Sequence, residues 1–131
     1  MKAYVAVSYH KRQSLREALN AIATTLRDFK IEPFVFVDNY KFTAAEEKLM
    51  MQRAMADIDI CDILIAETTD KGVGIGIEVG YAKAKNKPII YLRHKEATHS
   101  TTVSGISDFQ IIYSDCNDLK LQLQKLLITI L

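Results

Sequence analysis

Apolar and polar positions along this 131-residue chain fall into two alternating kinds of block. Five short runs, at residues 2–7, 34–37, 62–66, 89–92 and 109–113, are apolar at nearly every position and rich in Val, Ile, Phe and Tyr. Such runs read as strands buried on both faces. Between them the spacing lengthens. Residues 14–29 place Leu15, Leu19, Ile22 and Leu26 on one helical face. Thr43 followed by Glu46 forms a capping-box pattern that opens a helix running to about residue 59, with Leu49, Met50 and Ala54 as inward positions. A further helix is predicted over residues 77–85, behind a glycine-rich turn, and a last one from about Asn117. Strand–helix alternation with right-handed crossovers gives an α/β fold: one flavodoxin-like, doubly wound domain over residues 1–131, with a five-stranded parallel sheet in the order 2-1-3-4-5.

Charge narrows the partners. Seventeen basic and 16 acidic residues leave a formal charge of +1 with no long single-sign run. That argues against polymeric nucleic acid or a membrane as partner and leaves recognition of a small molecule in a pocket. Cys61 and Cys116 form neither a disulfide framework nor a metal-ligand spacing. With no signal-like or membrane-spanning stretch, a cytoplasmic location is expected. His94 and His99 lie in a polar segment, residues 93–108, without the cysteines or acidic spacing of a zinc site. A mobile loop over the pocket is expected there, with no metal and no cofactor. The apolar tail, residues 126–131, exceeds what one helix face would bury and points to a homodimer or larger homo-oligomer.

In an open α/β sheet ligands bind beyond the carboxyl ends of the strands, at the switch point between the first and third. Both loops there are unusual. Ser8, Tyr9, His10, Lys11 and Arg12 follow the first strand, and the turn after the third carries Gly72, Gly74 and Gly76 ahead of Glu78. A dinucleotide fingerprint would need glycine at Ile77 or Val79, and no Lys-Ser or Lys-Thr pair makes a P-loop. The glycines would leave backbone N–H groups exposed for an anion, and the predicted helix start would keep Glu78 ionised. The same residues also suit an ordinary strand-to-helix connection with a first-turn acid. Asp38 and Asn39, ending the second strand, read either as base or ribose contacts or as common turn chemistry.

The run Asp62 to Glu67, then Gly72-x-Gly74-x-Gly76-x-Glu78-x-Gly80-Tyr81-Ala82 and Lys87-Pro88, resembles the nucleoside 2-deoxyribosyltransferase family, including its 2-deoxynucleoside 5-phosphate N-hydrolase branch. The resemblance spans almost the whole chain. It implies that Glu78 is the nucleophile at the anomeric carbon and that Tyr4 holds it. It also implies that Ser8, Tyr9 and His10 contact the base and the 5-phosphate or hydroxyl, and that Ser100 serves a neighbouring subunit's site. Two positions depart from the family pattern. Ala54 stands where the family has a catalytic aspartate, with Asp57 one turn later as a substitute or as a solvated helix-end acid, and Gly72 stands where a serine or aspartate is expected.

These readings converge on an enzyme that cleaves or transfers the N-glycosidic bond of a (deoxy)nucleoside or nucleoside monophosphate. A non-catalytic nucleoside or nucleotide binder on the same fold is the alternative, as is a hydrolase of another N-riboside.

Overall fold

Parallel strands assemble because the central ones are apolar on both sides and each strand is followed by a helix that returns over the sheet. A computed structural model describes all residues, Met1–Leu131. Its strands are β1 (Lys2–Ala6), β2 (Glu32–Val35), β3 (Ile63–Glu67), β4 (Ile89–His94) and β5 (Phe109–Tyr113), all parallel and ordered 2-1-3-4-5. The predicted topology is the observed one. The helices are α1 (Arg16–Asp28), the one-turn α2 (Phe36–Asn39), α3 (Glu47–Ile60), α4 (Val73–Ala84), α5 (Thr101–Ile106) and α6 (Cys116–Ile130).

Alternate strand residues feed two cores. Val5, Ile65, Leu92 and Ile111 face α1 and α6, where Leu19, Ile22, Leu26, Leu119, Leu123 and Leu127 complete a cluster of 19 buried residues. Tyr4, Leu64, Ala66 and Tyr91 face the other way, onto Ile58 of α3, Ile75, Val79 and Ala82 of α4 and Val103 of α5, in a cluster of 12. The smaller core is the face that opens into a cavity at the carboxyl ends of the strands.

Several boundaries differ from the sequence expectation, each for a visible reason. The second strand stops at Val35 because Asn39 donates to the Val35 carbonyl at 2.7 Å and Arg12 grips Asp38 with bonds of 2.6 and 2.9 Å, closing α2. Phe36 and Val37 are thereby turned toward the cavity. In α3 the inward positions are Ala54 and Ile58, whereas Leu49 is 40% exposed. The predicted capping box of Thr43 and Glu46 is present, with the Thr43 N–H donating to Glu46 Oε1 at 2.9 Å, but it opens a 3₁₀ turn (Ala44–Glu46) that precedes α3.

Residues 93–108 are not the loop expected. Here β4 continues to His94, Ser100 caps α5 by accepting the Val103 N–H, and Arg93 Nη1 donates to the carbonyls of His94, Lys95 and Ala97. Tyr91, fully buried, accepts the Ser100 N–H at 3.0 Å and lies 3.2 Å from His99 Nδ1. Six residues of helix without an apolar stripe leave little periodic signal, which is why the segment looked irregular.

Candidate active site

The helix carrying Glu78 starts at Val73, not Ile77. None of the glycines has positive φ; Gly72 is the extended N-cap, and Gly74 and Gly76 lie within α4. The expected glycine turn is therefore the first turn of the helix, and Glu78 belongs to its second. Dipole stabilisation fades beyond the first turn. Burial instead dominates, raising the Glu78 carboxyl to about 7, while the hydrogen bond from Tyr4 lowers it in part. The expected permanently ionised first-turn carboxylate is thus a carboxyl poised near neutrality.

Tyr4, wholly buried in the centre of β1, donates its hydroxyl to Glu78 Oε2. Burial, then the adjacent Glu78 charge, raises this phenol far above its ordinary value, so it remains a donor. With Oε2 held, Oε1 lies over Gly74, where an added Cβ would sit 3.8 Å away. Glu78 borders a cavity of about 370 Å³. Val7, Ser8, Tyr9 and His10 form one wall, Phe36 and Val37 a second, Met50, Met51 and Ala54 a third, and Gly72 to Ile75 the floor. A neighbouring recess of about 500 Å³ shares Tyr9, Phe36, Val37 and Met50 and adds Tyr40, Lys41 and Phe42. Its rings follow one another closely, with Phe36–Tyr40 and Tyr40–Phe42 centroids 5.0 and 5.4 Å apart.

Of the residues singled out from sequence, Ser8, Tyr9, His10, Gly72, Gly74 and Glu78 line this cavity, and Tyr4 reaches it through Glu78. Gly76 does not line it. Asp57 also lies off it: its carboxylate accepts the Tyr40 hydroxyl at 2.8 Å, and the wall position one turn earlier is Ala54. Ser100 borders a separate void of about 30 Å³ with Gly72 and Ile75, 9% exposed, its oxygen committed to Val103. Asp38 is paired with Arg12. Phe36, Val37, Met50 and Met51 were not legible as site residues, since apolar lining and apolar core look alike in a sequence. No group of three His, Cys, Asp or Glu side chains has the arrangement to hold a metal ion. No helix is long and apolar enough to cross a membrane.

A second buried carboxyl supports the site from behind. Glu67, fully buried at the end of β3, accepts the Thr69 N–H at 2.6 Å and the Tyr113 hydroxyl at 2.7 Å. Burial raises it, and these two donors act against the rise. Thr69 in turn receives the His94 N–H, and Thr68 donates to the Leu92 carbonyl, so the turn leading into α4 is tied to β4 and β5. An acid ending an otherwise apolar strand was the available signal.

Comparison with known proteins decides the family, because the nucleoside 2-deoxyribosyltransferase family matches residues 3–124. The chain belongs to that family. A protein of Syntrophotalea carbinolica that carries the name of a 2'-deoxynucleoside 5'-phosphate N-hydrolase is 41% identical over 46 residues, which is 34% of this chain and 32% of that protein. The matched segment thus spans about a third of each. Among solved structures, the CMP N-glycosidase of Clostridium botulinum aligns with a TM-score of 0.67 at 19% identity, over 94% of this chain and 98% of its own. A 2-deoxyribosyltransferase of Bacillus psychrosaccharolyticus aligns with a TM-score of 0.72 at 18% identity, over 92% and 90%. At such identities the likeness is one of fold, the same α/β architecture as this family member.

Proposed function

We propose that this member of the nucleoside 2-deoxyribosyltransferase family cleaves or transfers the N-glycosidic bond of a (deoxy)nucleoside or its monophosphate, with Glu78 as nucleophile. The observation that carries the reading is the held carboxyl: Tyr4 fixes Oε2 and leaves Oε1 free over Gly74, where Glu78 is the only carboxyl lining the cavity. Departure of the base leaves an oxocarbenium-like carbon, which a fixed carboxylate stabilises and then traps as a glycosyl ester. A rigid partner keeps the attacking oxygen in line. Water then releases the sugar, or a second base takes it.

Incubation with deoxynucleosides, ribonucleosides and their monophosphates, with and without a free acceptor base, tests the proposal. Free base signifies hydrolysis and exchanged base signifies transfer. Binding without turnover on the whole panel would make the protein a sensor instead.

Tyr4→Phe removes the only hydrogen bond that pulls the Glu78 carboxyl down. Its folded value then climbs above about 7, and the rising limb of the pH–rate profile moves to higher pH. A limb that stays in place would show that the phenol does not tune Glu78.

Phosphate selectivity is expected to be weak. Gly72 leaves α4 without a side-chain cap, so only first-turn N–H groups and the solvent-exposed His10–Lys11 pair are available to an anion, and a neutral 5-hydroxyl can use the same donors. Measured on one base, kcat/KM for the monophosphate should exceed that for the nucleoside by less than several hundredfold, about 3 kcal/mol. A larger ratio would reveal another selector.

The active unit is proposed to be at least a homodimer. Val73 and Ile77 on α4 and Leu121 and Ile128 on α6 are exposed apolar side chains, and an isologous contact is the commonest cover for such surfaces. This rests on those side chains and not on Ser100, whose oxygen already serves as a helix cap. Light scattering at micromolar concentration should return at least twice the chain mass of 14.8 kDa; a fully active monomer would refute it.

A further inference from the structure

Breaking an N-glycosidic bond leaves an electron pair on a ring nitrogen of the base, and most bases depart only if a proton reaches them as the bond breaks. The cavity holds few sources of that proton. Its third wall, from α3, offers only the thioethers of Met50 and Met51 and the methyl of Ala54. The ionisable side chains lining it are Glu78, Tyr9 and His10. Glu78 attacks as the carboxylate, so it has no proton to give in the same step. A phenol releases its proton far less readily at neutral pH than an imidazolium, which leaves the imidazole.

The three histidines of the chain differ in what their rings do. His94 Nε2 lies 2.9 Å from the Ser114 carbonyl, and its Nδ1 accepts the Glu96 N–H. His99 Nδ1 faces the Tyr91 hydroxyl. His10 has no such partner; it stands on the 3₁₀ turn Tyr9–Lys11 directly after the strand that carries Tyr4, its ring edge-on to Tyr9 at 6.0 Å between centroids. The ionisable groups around it are Glu78 across the cavity and Tyr9 and Lys11 on its own turn, with Arg12 already paired to Asp38; the α2 and α3 walls present none to the cavity.

Resting on the glycosidic reading above, we propose that His10 is the acid that protonates the departing base and the base that then activates the acceptor. In the first step a Glu78 oxygen bonds to the anomeric carbon as the carbon–nitrogen bond breaks. The bond's electron pair goes to the base, which takes the imidazolium proton. The products are a neutral base, a neutral imidazole and a glycosyl ester on Glu78. In the second step water, or the ring N–H of an incoming base, loses a proton to that imidazole as its oxygen or nitrogen bonds to the anomeric carbon. The ester carbon–oxygen bond breaks, and carboxylate and imidazolium are both restored.

The test compares leaving groups. Deoxycytidine and deoxyadenosine carry bases that need a proton, whereas 5-nitro-deoxyuridine and its 5-nitro-ribonucleoside counterpart release a base that departs as a delocalised anion. His10→Ala should lower kcat/KM on the first set by on the order of 10²–10³-fold and on the nitro compounds by less than tenfold. The falling limb of the wild-type pH profile should vanish, and added imidazole should restore part of the lost rate. His10→Gln, which keeps polar contacts, should behave as His10→Ala does. Equal losses on both sets with an unchanged pH profile would overturn the proposal and leave His10 a substrate contact only. A wild-type protein that binds these compounds but releases no base would overturn the glycosidic reading itself, and the acid–base role with it.

Discussion

Glu78→Gln should abolish base release and base exchange, by on the order of 10³-fold or more, while substrate still binds and the fold persists. That loss corresponds to about 4 kcal/mol of transition-state stabilisation. The amide keeps the size of the side chain and an acceptor for Tyr4, but it lacks the charge that attacks carbon. Turnover near the wild-type rate would remove Glu78 from the mechanism.

The same substitution should change how stability depends on pH, and the sign follows from the direction of the shift. Burial lifts the Glu78 carboxyl from 4.5 to about 7, so the folded state holds this proton more tightly than the unfolded chain does. The associated stability is complete below about pH 4.5 and is lost as pH rises through about 7. For a partly buried group the loss is on the order of 1–3 kcal/mol. Glu78→Gln cannot ionise, so its stability should fall less between pH 5 and 8 than that of the wild type. Urea unfolding across that range gives both curves. Parallel curves would mean that the carboxyl ionises in the folded protein as easily as in the unfolded chain.

Most of the fold was legible because the central strands β1, β3 and β4 are apolar on both faces, the edge strands β2 and β5 are still mostly apolar, and the crossovers have one allowed hand. What misled was local. Phe36 and Val37 extend an apolar run, and the strand ends before them through the Asn39 bond to the Val35 carbonyl and the pairing of Asp38 with Arg12, 26 positions away. Gly72, Gly74 and Gly76 look like a turn, yet their φ values are negative and two of them are helical, an arrangement no local rule favours. This boundary mattered chemically. A start at Ile77 makes Glu78 a stabilised anion, whereas the actual start at Val73 makes it a partly buried carboxyl near neutrality. Around the cavity, the placement of Ser8, Tyr9, His10 and Glu78 was readable from topology, and that of Tyr4 beside Glu78 from the family resemblance. Asp57 was named as a substitute, one turn on, for the aspartate that the resembled family has at Ala54, and helical spacing gives no sign of its bond with Tyr40. The methionine wall was invisible because core and cavity are built from the same residue types.

Glu67→Ala should be strongly destabilising, although Glu67 touches no proposed substrate contact. The substitution strips the Thr69 N–H and the Tyr113 hydroxyl of their acceptor and leaves a void in a fully buried place. Buried donors left unpaired cost roughly 1–3 kcal/mol each, partly offset because a carboxyl that burial already disfavours as an anion is removed. A net loss of about 2–4 kcal/mol follows, a fall in Tm of roughly 8–15 °C for a chain of this length. Glu67→Gln keeps one acceptor, and Tyr113 can rotate its hydroxyl to accept from the amide, so the loss should be under about 1.5 kcal/mol. The turn that Glu67 anchors leads directly into Gly72 and α4, so Glu67→Ala should also lower kcat more than Glu67→Gln does at temperatures where both variants are folded. Equal Tm values for the two variants would show that the carboxyl is not the anchor, and an unchanged kcat in a destabilised Glu67→Ala would show that the turn and Glu78 move independently.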